Sequence, residues 1–139
     1  MCLEIIARIS PDSKNQVSAK RASDVSGLHV SKIYDNGQPA LHFSVTGGCS
    51  CDFLSDNSDW NDPIWNLEEE HLPGLAKAIH LIGESTDGFA FLVHWLDRED
   101  IADSQKVKLS KLIIDIEENQ LQNNVLYIVG RQARTKTAR

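Results

Sequence analysis

Cysteine is scarce in this chain, and its number is odd. The three cysteines, Cys2, Cys49 and Cys51, cannot all pair with one another, so they do not form a disulfide framework. Such frameworks stabilise small secreted domains, and the composition therefore favours a compartment in which thiols stay reduced. With 139 residues the chain is long enough to bury a hydrophobic core without covalent cross-links.

Long hydrophobic runs are also missing. No segment approaches the roughly 18 consecutive apolar residues that a membrane-spanning helix requires. The first residues, MCLEIIARIS, lack both the basic leader and the long apolar segment of a secretory signal. The sequence thus predicts a cytoplasmic protein without a membrane partner.

Positive charge is in short supply outside the C-terminus. The chain has 14 Lys and Arg against 20 Asp and Glu, which gives a net charge of −6. Four of those cations lie within residues 131–139, so the remainder is more acidic still. An acidic body makes nucleic acid an unfavourable partner. We expect a single domain over residues 1–130 and a basic, disordered C-terminal tail over residues 131–139.

Several catalytic signatures are absent. No serine stands in a G-x-S-x-G pattern, and no glycine-rich loop leads from a strand into a helix as a phosphate-binding loop would. The glycine pair at 47–48 leads into strand-like residues instead. A nucleotide-dependent enzyme is therefore disfavoured, and the sequence names no cofactor.

What the chain does contain is clear hydrophobic periodicity. Apolar residues alternate with a period of two in several segments, and Asp35, Asn36 and Gly37 form a turn signal between two of them. The segment 87–97 is apolar on both faces, which is typical of a central strand. The predicted strands are residues 3–9, 28–34, 40–46, 87–97 and 124–130, and residues 48–54 either extend the strand 40–46 or form another after a bend at the glycine pair.

Helical periodicity marks two further segments. A helix is predicted within residues 61–85, with Pro73 in its first turn, and the clearest helix covers residues 104–120 with Asp103 or Ser104 as its cap. The polar stretch 10–27 reads as a surface loop or a loosely held helical turn. These elements predict one α+β domain, with a mixed sheet of about five or six strands that includes a β-hairpin. Two main amphipathic helices pack on that sheet.

The pair Cys49 and Cys51 is the first candidate site. On a strand the two Cα atoms would be about 6.7 Å apart, near the limit for a disulfide, so a bond between them would be strained and easily reduced. Strained disulfides are typically redox-active. The carboxylates that follow, beginning with Asp52, would raise a thiol pKa and slow its attack.

Two other interpretations of these cysteines stay open. Two thiolates are half of a structural zinc site, which Cys2 together with His42 or His94 would complete. Alternatively, both cysteines are small buried apolar residues that continue the face of the preceding strand.

The acidic segment 52–65 is the second candidate site. It has oxygen ligands for a cation but not the spacing of a calcium-binding EF-hand loop. Trp60 and Trp65 either pin this segment to the core or line a ligand pocket. His94, between apolar neighbours, is the histidine expected to be buried, and His29 and His42 are expected to face each other across the hairpin.

Three functions follow from these patterns. The sequence favours a small, non-catalytic binding or interaction module that associates with itself or with a protein partner. The first alternative is a thiol-based site at Cys49 and Cys51 for metal binding or redox chemistry. The second is a small enzyme that uses the 52–65 segment, with Asp52 or another carboxylate and His94 or His71 as acid–base partners.

Overall fold

The computed structural model describes residues 3–10, 17–35, 37–56, 58, 62–95 and 103–131. Six strands and three α-helices form one α+β domain, which confirms the predicted fold class. In the described part of the chain, no helix has both the length and the apolar character needed to cross a membrane. In chain order the elements are β1 (Leu3–Ile9), α1 (Ala19–Ser26), β2 (His29–Asp35), β3 (Gln38–Ser44), α2 (Leu72–Ser85), β4 (Gly88–Trp95), β5 (Asp103–Val107), α3 (Leu109–Glu117) and β6 (Val125–Gly130), with short 3₁₀ turns at Ser50–Phe53 and Glu69–His71.

All six strands belong to one mixed sheet. Their order is β2-β3-β1-β4-β6-β5, and every neighbouring pair is antiparallel except β5 and β6. β1 and β4 pair along their whole length, from Leu3 opposite Trp95 to Ile9 opposite Phe89. The segment predicted as a central strand therefore lies at the centre of the sheet.

The hydrophobic core lies between the helices and one face of the sheet. Alternate residues of each central strand point into it, as the period of two predicts. From β1 these are Leu3, Ile5, Ala7 and Ile9, and from β4 they are Phe89, Phe91, Val93 and Trp95. The opposite face, here called the open face, carries Glu4, Ile6, Arg8, His42, Leu92, His94, Leu126 and Ile128.

The polar stretch 10–27 contains a complete helix, α1, rather than a loop alone. The Ser18 hydroxyl caps this helix by accepting a hydrogen bond from the Arg21 N–H at 3.1 Å. Ala22 is fully buried and joins the core. The apolar face of α1 consists of small residues, Ala22 and the partly buried Ala19, which is why periodicity barely reveals the helix. Residues 11–16 of this stretch lie outside the described residues.

The helix predicted over residues 104–120 is wrong in its first part. Residues Asp103–Val107 form β5, which pairs in parallel with β6 and sets Val107 beside Val129. Helix α3 starts only at Leu109, after Lys108. The segment before Lys108 is polar apart from Val107, so it offers no apolar stripe to hold a helix, and pairing with β6 decides its conformation.

The hairpin of β2 and β3 is confirmed around Gly37, with Asp35 opposite Gln38. Its histidines, however, are not opposite each other. His29 pairs with Ser44, and His42 pairs with Ser31, so the two imidazoles share the open face but are offset diagonally. The strands also begin and end up to two residues away from the predicted bounds, which shifts the pairing.

Candidate functional site

The two cysteines lie in a turn, not on a strand. After β3 the chain bends at Gly47, which has a φ of 98°, and a Cβ atom at this position would lie 3.5 Å from the ring of His29. A side chain at this position would be strained by that φ. The chain then enters the 3₁₀ turn Ser50–Phe53, so the strand predicted within residues 48–54 is wrong. We refer to residues 46–53 as the cysteine turn.

Buried contacts hold the cysteine turn to the sheet. The fully buried Ser50 hydroxyl accepts a hydrogen bond from the Ile5 N–H at 3.0 Å and donates to the Phe43 carbonyl. It also lies 3.3 Å from His42 Nε2. The Phe53 ring is fully buried in the core. Contacts to both β1 and β3 thus fix the backbone on either side of the second cysteine.

Cys49 and Cys51 have different environments. Cys49 is exposed, whereas Cys51 is half-buried against the core. The Cys51 sulfur accepts a hydrogen bond from the Leu3 N–H, with an N–S distance of 3.2 Å. The interpretation of both residues as buried apolar side chains is therefore wrong for Cys49 and holds in part for Cys51.

The pKa of the Cys49 thiol lies below its ordinary value. The main cause is a hydrogen bond with the side chain of Cys51, and a hydrogen bond from the Cys51 backbone N–H acts in the same direction. The Asp52 carboxylate raises this pKa, as the sequence predicted, but the hydrogen bonds outweigh it. The arrangement favours a thiolate at the more accessible of the two sulfurs.

Asp52 is held in place beside the pair. The Thr46 hydroxyl donates a hydrogen bond to Asp52 Oδ2 at 2.6 Å, which joins the two ends of the cysteine turn. Both side chains are exposed, so this carboxylate borders the solvent from which a reactant reaches Cys49.

Of the other predicted site residues that the structure describes, His42 contacts the cysteine turn through Ser50, whereas His94 and Trp65 contact other groups. His94 Nε2 lies 2.8 Å from Glu4 Oε1 on the open face. Trp65 packs against Trp95 on the core side, and its indole N–H donates to the Val93 carbonyl at 3.2 Å. Trp65 therefore pins its segment to the core and lies on the other side of the sheet from His94. Trp60 lies outside the described residues.

Two members of the site region escaped the sequence analysis. No sequence pattern predicted a structural role for Ser50, the residue between the two cysteines. Glu4 could have been noticed, since it is the single acidic residue in the apolar strand 3–9. Its partner His94 is 90 residues away in sequence, so only the pairing of β1 with β4 identifies the contact.

Cys49 and Cys51 are the sulfur atoms that a soft metal ion would bind. Among the described residues, no group of three or more His, Cys, Asp or Glu side chains has the geometry to hold a metal ion. Cys2, the third ligand considered from the sequence, lies outside the described residues.

Comparisons of the chain with protein-family models, with curated proteins and with solved structures find no match. The geometry of the cysteine turn is therefore the basis for a functional conclusion.

Proposed function

We propose that the protein is a dithiol protein that undergoes exchange with disulfides, in which Cys49 attacks and Cys51 resolves. One observation carries the proposal: the exposed Cys49 and the half-buried Cys51 flank Ser50 in one turn, and Cys51 lowers the pKa of the Cys49 thiol. A thiolate is the attacking species in exchange, and an attacker needs access to solvent.

The exchange takes two balanced steps. The Cys49 thiolate forms a bond to one sulfur of the partner disulfide, and the other partner sulfur leaves as a thiolate. Cys51 then loses its proton to solvent, and its sulfur attacks Cys49 to release the first partner sulfur. The products are a Cys49–Cys51 disulfide and two partner thiols, so the protein is oxidised by two electrons and the partner is reduced by two.

The local backbone supports the second step. Because Ser50 is in a 3₁₀ conformation, Cys49 and Cys51 are closer than they would be on an extended strand. This shorter Cα–Cα distance is nearer to the roughly 5.5–6 Å that disulfides prefer. The Ser50 hydroxyl anchors the residue between them, which limits how far the two sulfurs move apart.

The test is reaction of the reduced protein with the neutral probe 2-hydroxyethyl disulfide. In Cys51→Ser the mixed disulfide on Cys49 should accumulate, because no second thiol resolves it. In the wild type a Cys49–Cys51 disulfide should replace the mixed disulfide. Cys49→Ser should react with the probe at least about tenfold more slowly than the wild type does. Intact mass and peptide mapping identify each species.

Cys2→Ser is the matched control, since it removes a thiol but leaves the pair intact. It should form the Cys49–Cys51 disulfide as the wild type does. Equal reaction rates for Cys49→Ser and the wild type, or a wild type whose thiols all stay reduced, would rule out the proposed exchange.

A second candidate is the interaction module expected from the sequence, with a second copy of this chain as the partner. The observation that favours it is the part of the open face on β6, where Leu126 and Ile128 are half-buried, whereas Ile6 and Leu92 on the same face are fully buried. The three described helices lie on the other side of the sheet. Arg8 on this face forms an ion pair with Asp35, and the Glu4 carboxylate is hydrogen-bonded to His94. Paired charges on the contact surface reduce the repulsion that two chains of net charge −6 would otherwise have.

A further inference from the structure

Carboxylates lie in and next to the cysteine turn. Asp52 is fixed by Thr46, as described above. The Glu68 N–H donates a hydrogen bond to the Phe53 carbonyl at 2.7 Å. The His71 ring meets the Phe53 ring edge-on, with centroids 5.7 Å apart. The run of three glutamates at 68–70 therefore lies beside the end of the cysteine turn.

These carboxylates affect any charged molecule that approaches Cys49. Asp52 already acts on the Cys49 sulfur electrostatically. Glu69 and Glu70 are exposed, so their charges extend into the solvent. Fields of this kind change the rates at which charged reactants arrive and bind, and salt weakens them.

We infer that the dithiol discriminates among disulfides by charge and prefers partners that carry positive charge beside the sulfur–sulfur bond. The inference rests on the proposed exchange function and assigns its substrate class. The natural partner would be a disulfide flanked by Lys or Arg, and anionic small disulfides would react poorly.

The chemistry of the first exchange step adds to this preference. When the Cys49 thiolate attacks, negative charge moves onto the partner sulfur that leaves. That charge develops close to the Asp52 carboxylate, which disfavours it. A cationic group on the partner, next to the leaving sulfur, offsets the repulsion, whereas an anionic group increases it.

The experiment compares three small disulfides of similar size with the reduced protein: cystamine, which is cationic, 2-hydroxyethyl disulfide, which is neutral, and 3,3′-dithiodipropionate, which is anionic. Each rate constant is divided by the rate constant of the same disulfide with 2-mercaptoethanol, which removes differences in intrinsic reactivity. At low ionic strength the normalised rate should be about three- to tenfold higher for cystamine than for the neutral probe. The normalised rate for the anionic probe should be lower by a similar factor.

Asp52→Asn should reduce the ratio of cationic to anionic rates by about two- to threefold. Its effect on the pKa of Cys49 changes all three rates together and cancels in the ratio. Glu84→Gln is the matched control, because it removes one exposed charge at the opposite end of the sheet, next to the start of β4. It should leave the ratio unchanged, and 0.5 M salt should bring the wild-type ratio close to one.

The outcomes separate this inference from the function on which it rests. If the neutral probe exchanges but the wild-type ratio is one, or if Asp52→Asn leaves the ratio intact, the charge preference is refuted and the exchange function stands. If none of the three disulfides reacts with Cys49, the exchange function fails and the inference fails with it.

Discussion

At the scale of the residue, Glu4 and His42 show how the open face favours particular protonation states. The hydrogen bond from His94 holds the pKa of Glu4 below its usual value, although burial acts against it. Burial lowers the pKa of His42, with a further contribution from His29, although Glu4 raises it. The folded state therefore favours an ionised Glu4 and a neutral His42.

Both pKa shifts predict that the folded state is less stable at acidic pH. A histidine with a depressed pKa contributes stability above the unfolded value near pH 6.5, and this is lost as the pH falls through the folded pKa. The lowered pKa of Glu4 makes a contribution that is fully present above the ordinary value of 4.5 and is lost as the pH falls through the folded pKa. We expect the free energy of unfolding in urea to decrease in two stages between pH 7.5 and pH 3.5.

His42→Gln should flatten the first stage, because it removes the titrating group. His80→Gln, on an exposed position of α2, should leave both stages as in the wild type. A first stage that persists in His42→Gln would show that another group is responsible.

At the scale of the element, glycine sets how closely helix α2 approaches its neighbours. A Cβ atom on Gly74 would overlap with the backbone carbonyl oxygen of Ser26 at the end of α1. A Cβ atom on Gly83 would lie 2.6 Å from the methyl carbons of Leu109 at the start of α3. The Ser26 carbonyl is part of the backbone, whereas the Leu109 methyl groups belong to a side chain. The Leu109 side chain is therefore able to move away from an added methyl group more easily than the Ser26 carbonyl.

Gly74→Ala should destabilise the protein by roughly 1–3 kcal/mol, even though alanine is the better helix former by about 1 kcal/mol. Gly83→Ala should cost less, because the Leu109 side chain is able to adjust. Urea unfolding of both variants gives the comparison. A Gly74→Ala variant as stable as the wild type would mean that α1 and α2 are not in contact at this point.

At the scale of the whole molecule, the single helical layer leaves one side of the sheet uncovered by any described helix. Ile128 lies on that open face, half-buried, beside Leu126. Ile114 is an exposed residue of α3 on the other side of the molecule. The two isoleucines therefore distinguish association through the open face from association through the helices.

If a second copy covers the open face, light scattering coupled to size-exclusion chromatography should show a molar mass that rises with protein concentration. In Ile128→Lys the molar mass should increase only at protein concentrations at least about tenfold higher than in the wild type, because the substitution places a charge in the apolar contact. Ile114→Lys should leave the curve unchanged. A mass of 15.5 kDa at every concentration would exclude this candidate.

The elements that follow from local patterns were predictable. The strand at Leu3–Ile9 matches its predicted bounds, and the apolar stripe of Leu109, Leu112 and Ile116 identified the face of α3 that the core buries. Side-chain periodicity and burial are linked directly, because one face of each element must leave water. Residues with no such pattern, as in β5, could not be assigned from the sequence.

The candidate site was only half predictable for the same reason. The sequence by itself determined that Cys49 and Cys51 are close together, that Asp52 follows them, and that they belong to an α+β domain with a buried hydrophobic core. Tertiary structure decided the rest: Leu3 donates to Cys51 from 48 residues away, and Ser50 joins Ile5 to Phe43. These contacts bend the chain into a turn, expose Cys49 and shift its pKa. Such properties depend on which distant groups the sheet brings within hydrogen-bonding distance, and local periodicity contains no information about that.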